Sequence, residues 1–475
     1  MLAVAATGGE QAFHPEIPRA WDDKEVERFE VPLAQRDRSP RYLTAKEYYA
    51  LKVRAIYRSY PAYVDGKAPA GYLETLKHKE PEIIFDASKL RTRDDWIQAG
   101  KVVFEAENSF SPARPGGTPI PAGVSMPVSN DGVLPGFVPG FSYIVRKKGV
   151  LEVGSGACAG CHTRFMPDGS FLEGAQGILV GRLGPPPTPD TIRLRQDNQW
   201  ILFGAPWVTK REEFEESLTL EELIRRRAAF YPGVFARQGT SSTHPPKIPS
   251  LIGLEEIRYL DSTGLVRHRS VGDLMRYAIV NTGLDILAHF GDFQPSAVGS
   301  VFGEAGTRFS DEQLYALALY IYSLKPPRNP NVVDERARQG QRIFQQQGCG
   351  GCHTPPLYTN NKLTPARGFE VPEDLRKSDD IMDVCVGTDP TLATQTRRGT
   401  GFYKVPSLRG VWYRNGFGHN GQADTLEEWF DPARLKEDYV AKGFHLGPGA
   451  IKGHEFGLKL EAEERRALIA FLKTL

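Results

Sequence analysis

Several things are scarce in this chain, and each absence narrows the reading. There is almost no excess charge: 59 Lys and Arg stand against 58 Asp and Glu, a formal net charge of +1. No run of Lys or Arg stands out either, so nucleic acid is not an expected partner and an anionic membrane surface leaves no footprint. No apolar stretch approaches the ~18 residues of a membrane span, so no transmembrane segment is expected. Methionine occurs 5 times, at positions 1, 126, 166, 275 and 382, and never beyond. Cysteine also occurs 5 times. Four of these fall into two short motifs, and Cys385 is left over, with a buried free thiol as its default reading. The opening Met1-Leu2-Ala3-Val4-Ala5-Ala6 lacks the charged and long apolar regions of a full secretion signal. In contrast, 48 glycines and 36 prolines predict extensive loops fixed by packing. The length suggests about three domains.

The four paired cysteines occur as Cys158-Ala159-Gly160-Cys161-His162 and Cys349-Gly350-Gly351-Cys352-His353. Cys-x-x-Cys-His is the attachment signature of c-type haem. Two thiols about one helical turn apart can each form a thioether to the porphyrin, while the adjacent imidazole, His162 or His353, serves as the proximal iron ligand. One such pentapeptide arises by chance in about one chain in a thousand of this composition, and two are far rarer. A zinc site would need the two stretches to converge, and no zinc-ribbon spacing accompanies them. A thioredoxin-type motif would want a βαβ context that the sequence lacks. The expectation is two covalently bound haem c groups. Haem attachment of this kind looks like that of exported cytochromes, so the mature protein is expected to be periplasmic or secreted.

Along the chain, residues 1–90 carry no ligand pattern but are rich in tyrosine, and read as a wrapping segment that buries aromatic faces against a later domain. Trp96, Ile97, Gly100, Val103 and Phe104 have helical spacing, with Asp94 as the expected N-cap. Ala337 to Phe344 repeats that form, which exposes an internal duplication. Phe344 precedes Cys349 by five residues, whereas a Pro/Gly-rich insertion, 105–157, separates Phe104 from Cys158. Lys247-Ile-Pro-Ser-Leu251 pairs with Lys404-Val-Pro-Ser-Leu408. Each half closes with a helix: Asp311 to Leu324, opened by a capping box of Ser310 and Gln313, and Glu461 to Leu475. The predicted fold is mainly α with extensive loops, as two cytochrome c-like domains in tandem, 91–328 and 329–475. The boundary falls at Pro326, Pro327 and Pro330.

The two Cys-x-x-Cys-His motifs, Tyr358-Thr-Asn-Asn361, Val405-Pro-Ser-Leu-Arg409, Gly418-His-Asn-Gly421 and Thr425-Leu-Glu-Glu428 together resemble the dihaem cytochrome c peroxidase and MauG superfamily. The closer likeness is to the rubber oxygenase (RoxA-like) branch, through Ile56 to Pro61, Tyr259 to Gly264, His268 to Met275 and Gly291-Asp292-Phe293. The resemblance implies a dihaem peroxidase-like architecture. It also implies an oxygenase that uses O2 to attack C=C bonds of a hydrophobic substrate, polyisoprene-like or an unsaturated lipid, with a small electron-donor protein as a further partner. A peroxide-dependent or MauG-like enzyme and a plain electron carrier are the alternatives. No methionine follows Val405, where peroxidases of this family place a ligand, and Ala433 stands fourteen residues past His419, so the MauG tyrosine is absent too. Gly453-His454-Glu455-Phe456-Gly457 resembles the sixth-ligand site of the rubber oxygenases, so His454 is favoured over His445 for the second iron. By family likeness His419 hydrogen-bonds near that haem. For the first haem, Ile178 occupies the position of the displaceable histidine, so its sixth site is expected to be open, with His162 at the reacting centre. His244, His268 and His289 read as structural. Phe290, Phe293, Phe302 and Phe309 suggest an apolar floor, and Trp200, Trp207, Trp412 and Trp429 are the candidates for an electron relay.

Overall fold

A computed structural model describes residues 13–63, 66–112, 137–177, 205–208, 219, 221–222, 225, 229, 231–235, 239–240, 244–295 and 306–475. Four of its helices set the frame: α1 Arg93–Glu105, α2 Asp311–Ser323, α3 Glu335–Gln346 and α4 Ala462–Lys473. α1 packs against α2, and α3 against α4. The two crossings are built alike. A Cβ added at Gly100 would lie 1.9 Å from the Ala316 carbonyl oxygen and 2.7 Å from Tyr320 Cβ. At Gly340 it would lie 1.9 Å from the Ala467 oxygen and 2.8 Å from Phe471 Cβ. Only glycine permits such backbone contact. One turn on, Phe104 packs on Tyr320 with ring centres 5.2 Å apart, and Phe344 on Phe471 at 5.4 Å. The duplicated sequence thus yields duplicated helix crossings.

Helix starts follow side-chain chemistry. Ser310 and Gln313 form the expected capping box of α2. For α1 the cap is Thr92, reciprocated by Asp95, and not Asp94, which lies inside the first turn. The hydroxyl of Thr92 accepts from the Asp95 amide while the Asp95 carboxylate accepts from the Thr92 amide, satisfying two orphan donors that Asp94 does not reach.

Described parts of the Pro/Gly-rich insertion form strands. Strands β1 Ser59–Tyr63, β2 Ser109–Pro112, β3 Phe137–Lys147 and β4 Val150–Ser155 form an antiparallel sheet in the order β1-β3-β4-β2. Tyr143 and Val145 on β3, and Leu151 and Val153 on β4, alternate inward and pack with Leu76 into a satellite core. That period of two, turned at Lys148-Gly149 with Gly149 at φ 80°, explains a hairpin where composition alone suggested loop. β4 leads directly to Cys158, so the sheet delivers the first motif.

Aromatic residues of the N-terminal segment enter the main core. Trp21, Phe29 and Tyr48 are buried in one core with Phe104, Leu317, Ile321 and Phe290. The Trp21 indole donates to the Leu43 carbonyl at 2.9 Å, so its polar edge is satisfied inside that core. A second core joins Ile343, Phe344, Leu426, Phe430, Leu468 and Leu472. Among the described residues, no helix is long and apolar enough to cross a membrane.

Candidate functional site

The first motif forms a single helical turn, Cys158–Cys161, closed by the His162 amide donating to the Cys158 carbonyl at 3.0 Å. Burial pushes the Cys158 thiol up to about 11, so it is protonated rather than thiolate. His162 Nδ1 lies 3.1 Å from the Pro249 carbonyl oxygen. A carbonyl only accepts, so Nδ1 carries the proton and Nε2 keeps its lone pair for a metal. The second motif repeats this. Its His353 amide donates to the Cys349 carbonyl at 2.8 Å, and His353 Nδ1 lies 3.1 Å from the Tyr358 oxygen, with the Pro406 carbonyl also acting on the ring. Pro249 and Pro406 are the equivalent prolines of the two Lys-x-Pro-Ser-Leu repeats. The physical content of that repeat is therefore an acceptor that orients each histidine.

A cavity of about 300 Å³ opens over the second motif, lined by Cys349, Cys352, His353 and His454 with a largely apolar wall that includes Leu426, Phe430 and Leu468. The His353 and His454 rings face each other with centres 6.4 Å apart and planes at 59°. An imidazole bonds a metal at about 2 Å and its donor nitrogen lies about 1.1 Å from the ring centre, so two imidazoles across one metal have centres about 6.2 Å apart. A haem held by both therefore fits the spacing. His454 is held at φ 47°, a conformation that a side chain with a Cβ rarely adopts. Burial and the nearby His353 push it down to about 4, so it is neutral, as a ligand must be. No described group of three or more His, Cys, Asp or Glu side chains is arranged to hold a bare metal ion.

Sequence reasoning missed the residue that holds this loop. Arg434 is fully buried; its Nε donates to the Trp429 carbonyl at 2.7 Å, and its Nη2 donates to the carbonyls of Gly453 and His454, both at 3.0 Å. Nη1 donates to the Ile451 carbonyl, and the guanidinium lies 4.6 Å over the Trp429 ring. One side chain thus ties together the backbone on which His454 stands, and no local motif signals it.

The other candidates stand as follows. His445 Nδ1 lies 3.0 Å from the Gly443 oxygen, and His445 is not among the described residues that line the cavity. His419 lines it, 2.7 Å from the Thr388 hydroxyl and stacked on Tyr403 at 3.5 Å. Burial and the charge of Lys247 push it down to about 3. His268 is spent between the Ile257 carbonyl at 2.7 Å and the Tyr322 hydroxyl at 2.6 Å. His244 lies 3.8 Å from Asp389, and His289 pairs with Arg41 through its backbone. Trp429 lines the cavity, 5.6 Å from the His454 ring; Trp412 packs on Tyr413, and Trp207 stacks on Phe290. Cys385 is exposed, contrary to the buried default, because its neighbours take the inward positions: Val386 lines the cavity and Met382 Sδ sits 3.9 Å from Cys352 Sγ. Ile178, Trp200, Phe302 and residues 113–136 of the insertion lie outside the described residues.

Buried charge also meets the expected apolar floor. Arg397 lies over Phe290 at 5.0 Å and Phe293 at 5.8 Å, and 4.0 Å from Asp285.

No family model matches the chain, and no curated protein does. Among solved structures, it is similar to hydrazine synthase of Kuenenia stuttgartiensis, at 17% identity over 61% of this chain and 89% of that one, with a TM-score of 0.30. It is also similar to a MauG-like protein associated with microbial copper homeostasis, at 18% identity over 61% of this chain and 88% of that one, with a TM-score of 0.31. Both superpositions are loose, so the functional reading rests on the site's own residues.

Proposed function

We propose that this chain is a dihaem c-type oxidoreductase of the periplasm or cell exterior, built as two cytochrome c-like domains, 91–328 and 329–475, wrapped by residues 1–90. A haem supplies an iron that takes up and gives back one electron and, where an axial position is open, can receive a small oxidant. Cys158, Cys161 and His162 would hold the first group, and Cys349, Cys352, His353 and His454 the second. The observation that carries this reading is the 6.4 Å pairing of His353 with His454 over a Cys-x-x-Cys turn. With two histidines to hold it, the second group would store and pass electrons, and the reaction would belong to the first, held by His162.

The finer reading is an oxygenase that uses O2 against C=C bonds of a hydrophobic substrate, polyisoprene-like or an unsaturated lipid, with a small electron-donor protein as partner. It rests on the sequence resemblance. A peroxide-dependent reading draws on Arg397 and Asp285, because a buried cation and carboxylate beside the aromatic floor are the kind of polar help that O–O cleavage uses. Mass spectrometry of the mature protein is expected to show two covalent haems. The reduced protein is expected to bind CO at one centre only. Incubation with polyisoprene and unsaturated fatty acids under labelled O2 then decides: label in a carbonyl product supports the oxygenase, fast peroxide consumption without product supports the peroxidase, and a CO-silent spectrum overturns both.

A further inference from the structure

The cavity over the second motif has a cationic end with no acidic residue lining it. Lys247, Lys404 and Arg414 line it, together with Arg409, and none of the described residues lining it is acidic. Among the described residues, Lys247, Lys404 and Arg414 have no carboxylate at ion-pair distance. Arg409 pairs outward with Glu256, and Asp261, whose charge reaches Lys404 through space, pairs with Arg398. The polar contacts that do exist are few. Lys404 Nζ donates to the Tyr259 carbonyl at 3.2 Å, Arg414 Nη1 donates to the Ser407 carbonyl at 3.0 Å and its Nη2 to the Arg409 carbonyl. Arg414 Nε is buried with no partner, and Lys247 Nζ sits over the Phe417 ring at 5.8 Å.

Burial, with repulsion from Arg414, disfavours the charge on both lysines, pushing Lys247 down to about 7 and Lys404, despite the pull of Asp261, to about 8. Three cations gathered without counter-charge are costly unless a ligand brings the anion. The ligand that fits the rest of the cavity brings two: a haem is apolar over its ring and carries two carboxylates on one edge.

We infer that Lys247, Lys404 and Arg414 form the carboxylate-binding end of the second haem site, and that Lys247 is supplied to it by the other half of the chain. Lys247 and Lys404 are equivalent positions of the two Lys-x-Pro-Ser-Leu repeats, yet both line the same cavity. Duplication by itself would give each half its own lysine. Two residues after Lys247, Pro249 accepts from His162 and also lines this cavity, so a single short segment touches both centres. The second site is then a joint product of the two halves, and its electron affinity depends on a residue of the first.

This inference rests on the proposed dihaem reading, and its test separates the two. The purified holoprotein is titrated electrochemically, following the low-spin second centre, in Lys247→Met, Lys404→Met and Arg414→Met variants. Loss of a cation beside a centre that gains an electron lowers its potential, so each variant is expected to shift the second centre downward. Lys247→Arg is expected to keep the original potential. Lys89→Met is the control, since Lys89 is exposed, pairs with Asp86 and does not line the cavity. An unchanged second potential in Lys247→Met, or a shift confined to the first centre, overturns the inference. A wild-type protein without covalent haem overturns the dihaem reading itself, before any variant is compared.

Discussion

Replacing Gly340 by Ala sets two physical effects against each other. By helix propensity alone, alanine inside α3 is favoured over glycine by about 1 kcal/mol. The crossing decides otherwise. The new methyl carbon would lie 1.9 Å from the Ala467 carbonyl oxygen and 2.5 Å from its carbon, whereas ordinary contact begins at 3.4 Å. The obstacle is backbone, which no rotamer change removes, so α3 and α4 must separate locally by about 1.5 Å. That separation loosens Ile343 and Phe344 from Leu468, Phe471 and Leu472 across the second core. Overpacking of this kind costs about 3 kcal/mol, and set against the propensity gain it leaves a net loss of about 2 kcal/mol. For a unit of this size the midpoint of thermal unfolding should fall by about 4–8 °C. Circular dichroism melting of Gly340→Ala beside Gln345→Ala, an exposed position of the same helix, measures it. The control should stay within about 0.5 kcal/mol. A melting point for Gly340→Ala equal to or above that of the parent would refute the packing argument, and with it the equivalence to Gly100.

Three further outcomes are expected. His454→Ala should convert the second centre from low-spin to high-spin in its absorption and electron paramagnetic resonance spectra, and added imidazole should restore the original signal; an unchanged spectrum would remove His454 from the site. Arg434→Met should strip the donors from the carbonyls of Trp429, Ile451, Gly453 and His454, destabilising the chain by about 3 kcal/mol. It should also make the same spectrum partly high-spin with imidazole rescue, whereas a loss of stability with fully retained low-spin signal would mean that Arg434 only packs. His419 is pushed from 6.5 down to about 3 in the folded chain. The unfolded chain therefore binds the extra proton first, so stability is full above about pH 6.5 and falls toward pH 3 by up to about 1.4 kcal/mol per pH unit. His419→Gln should flatten that part of a stability–pH curve measured by denaturant titration, and an unchanged slope would assign the acid sensitivity elsewhere.

Much of this was legible in the sequence because it is local or repeated. Cys-x-x-Cys-His closes within one turn, so its hydrogen bond from His162 to Cys158 follows from spacing alone. The capping box at Ser310 spans four residues, and the duplication aligns Gly100 with Gly340 and Lys247 with Lys404 without reference to any fold. Composition says less than pattern. The Pro/Gly content of the insertion does not reveal a sheet, while the alternation of Tyr143, Val145, Leu151 and Val153 carries one. Residue type alone points to Asp94 as a cap, whereas Thr92 and Asp95 satisfy each other.

The sequence by itself determined which residues could carry chemistry: two cysteine pairs, two adjacent histidines and a short set of candidates for their partners. Only the tertiary structure shows what each of those candidates faces, because that depends on residues far apart in the chain. His454 faces His353 across a cavity while His445, nine positions earlier, turns to its own backbone. Arg434 matters through four carbonyls that no sequence window gathers. Lys247 and Lys404 look like separate copies of one motif until the fold turns both toward the same space. Covalent spacing fixes what a short segment can hold, and the packing of distant segments fixes what that segment faces.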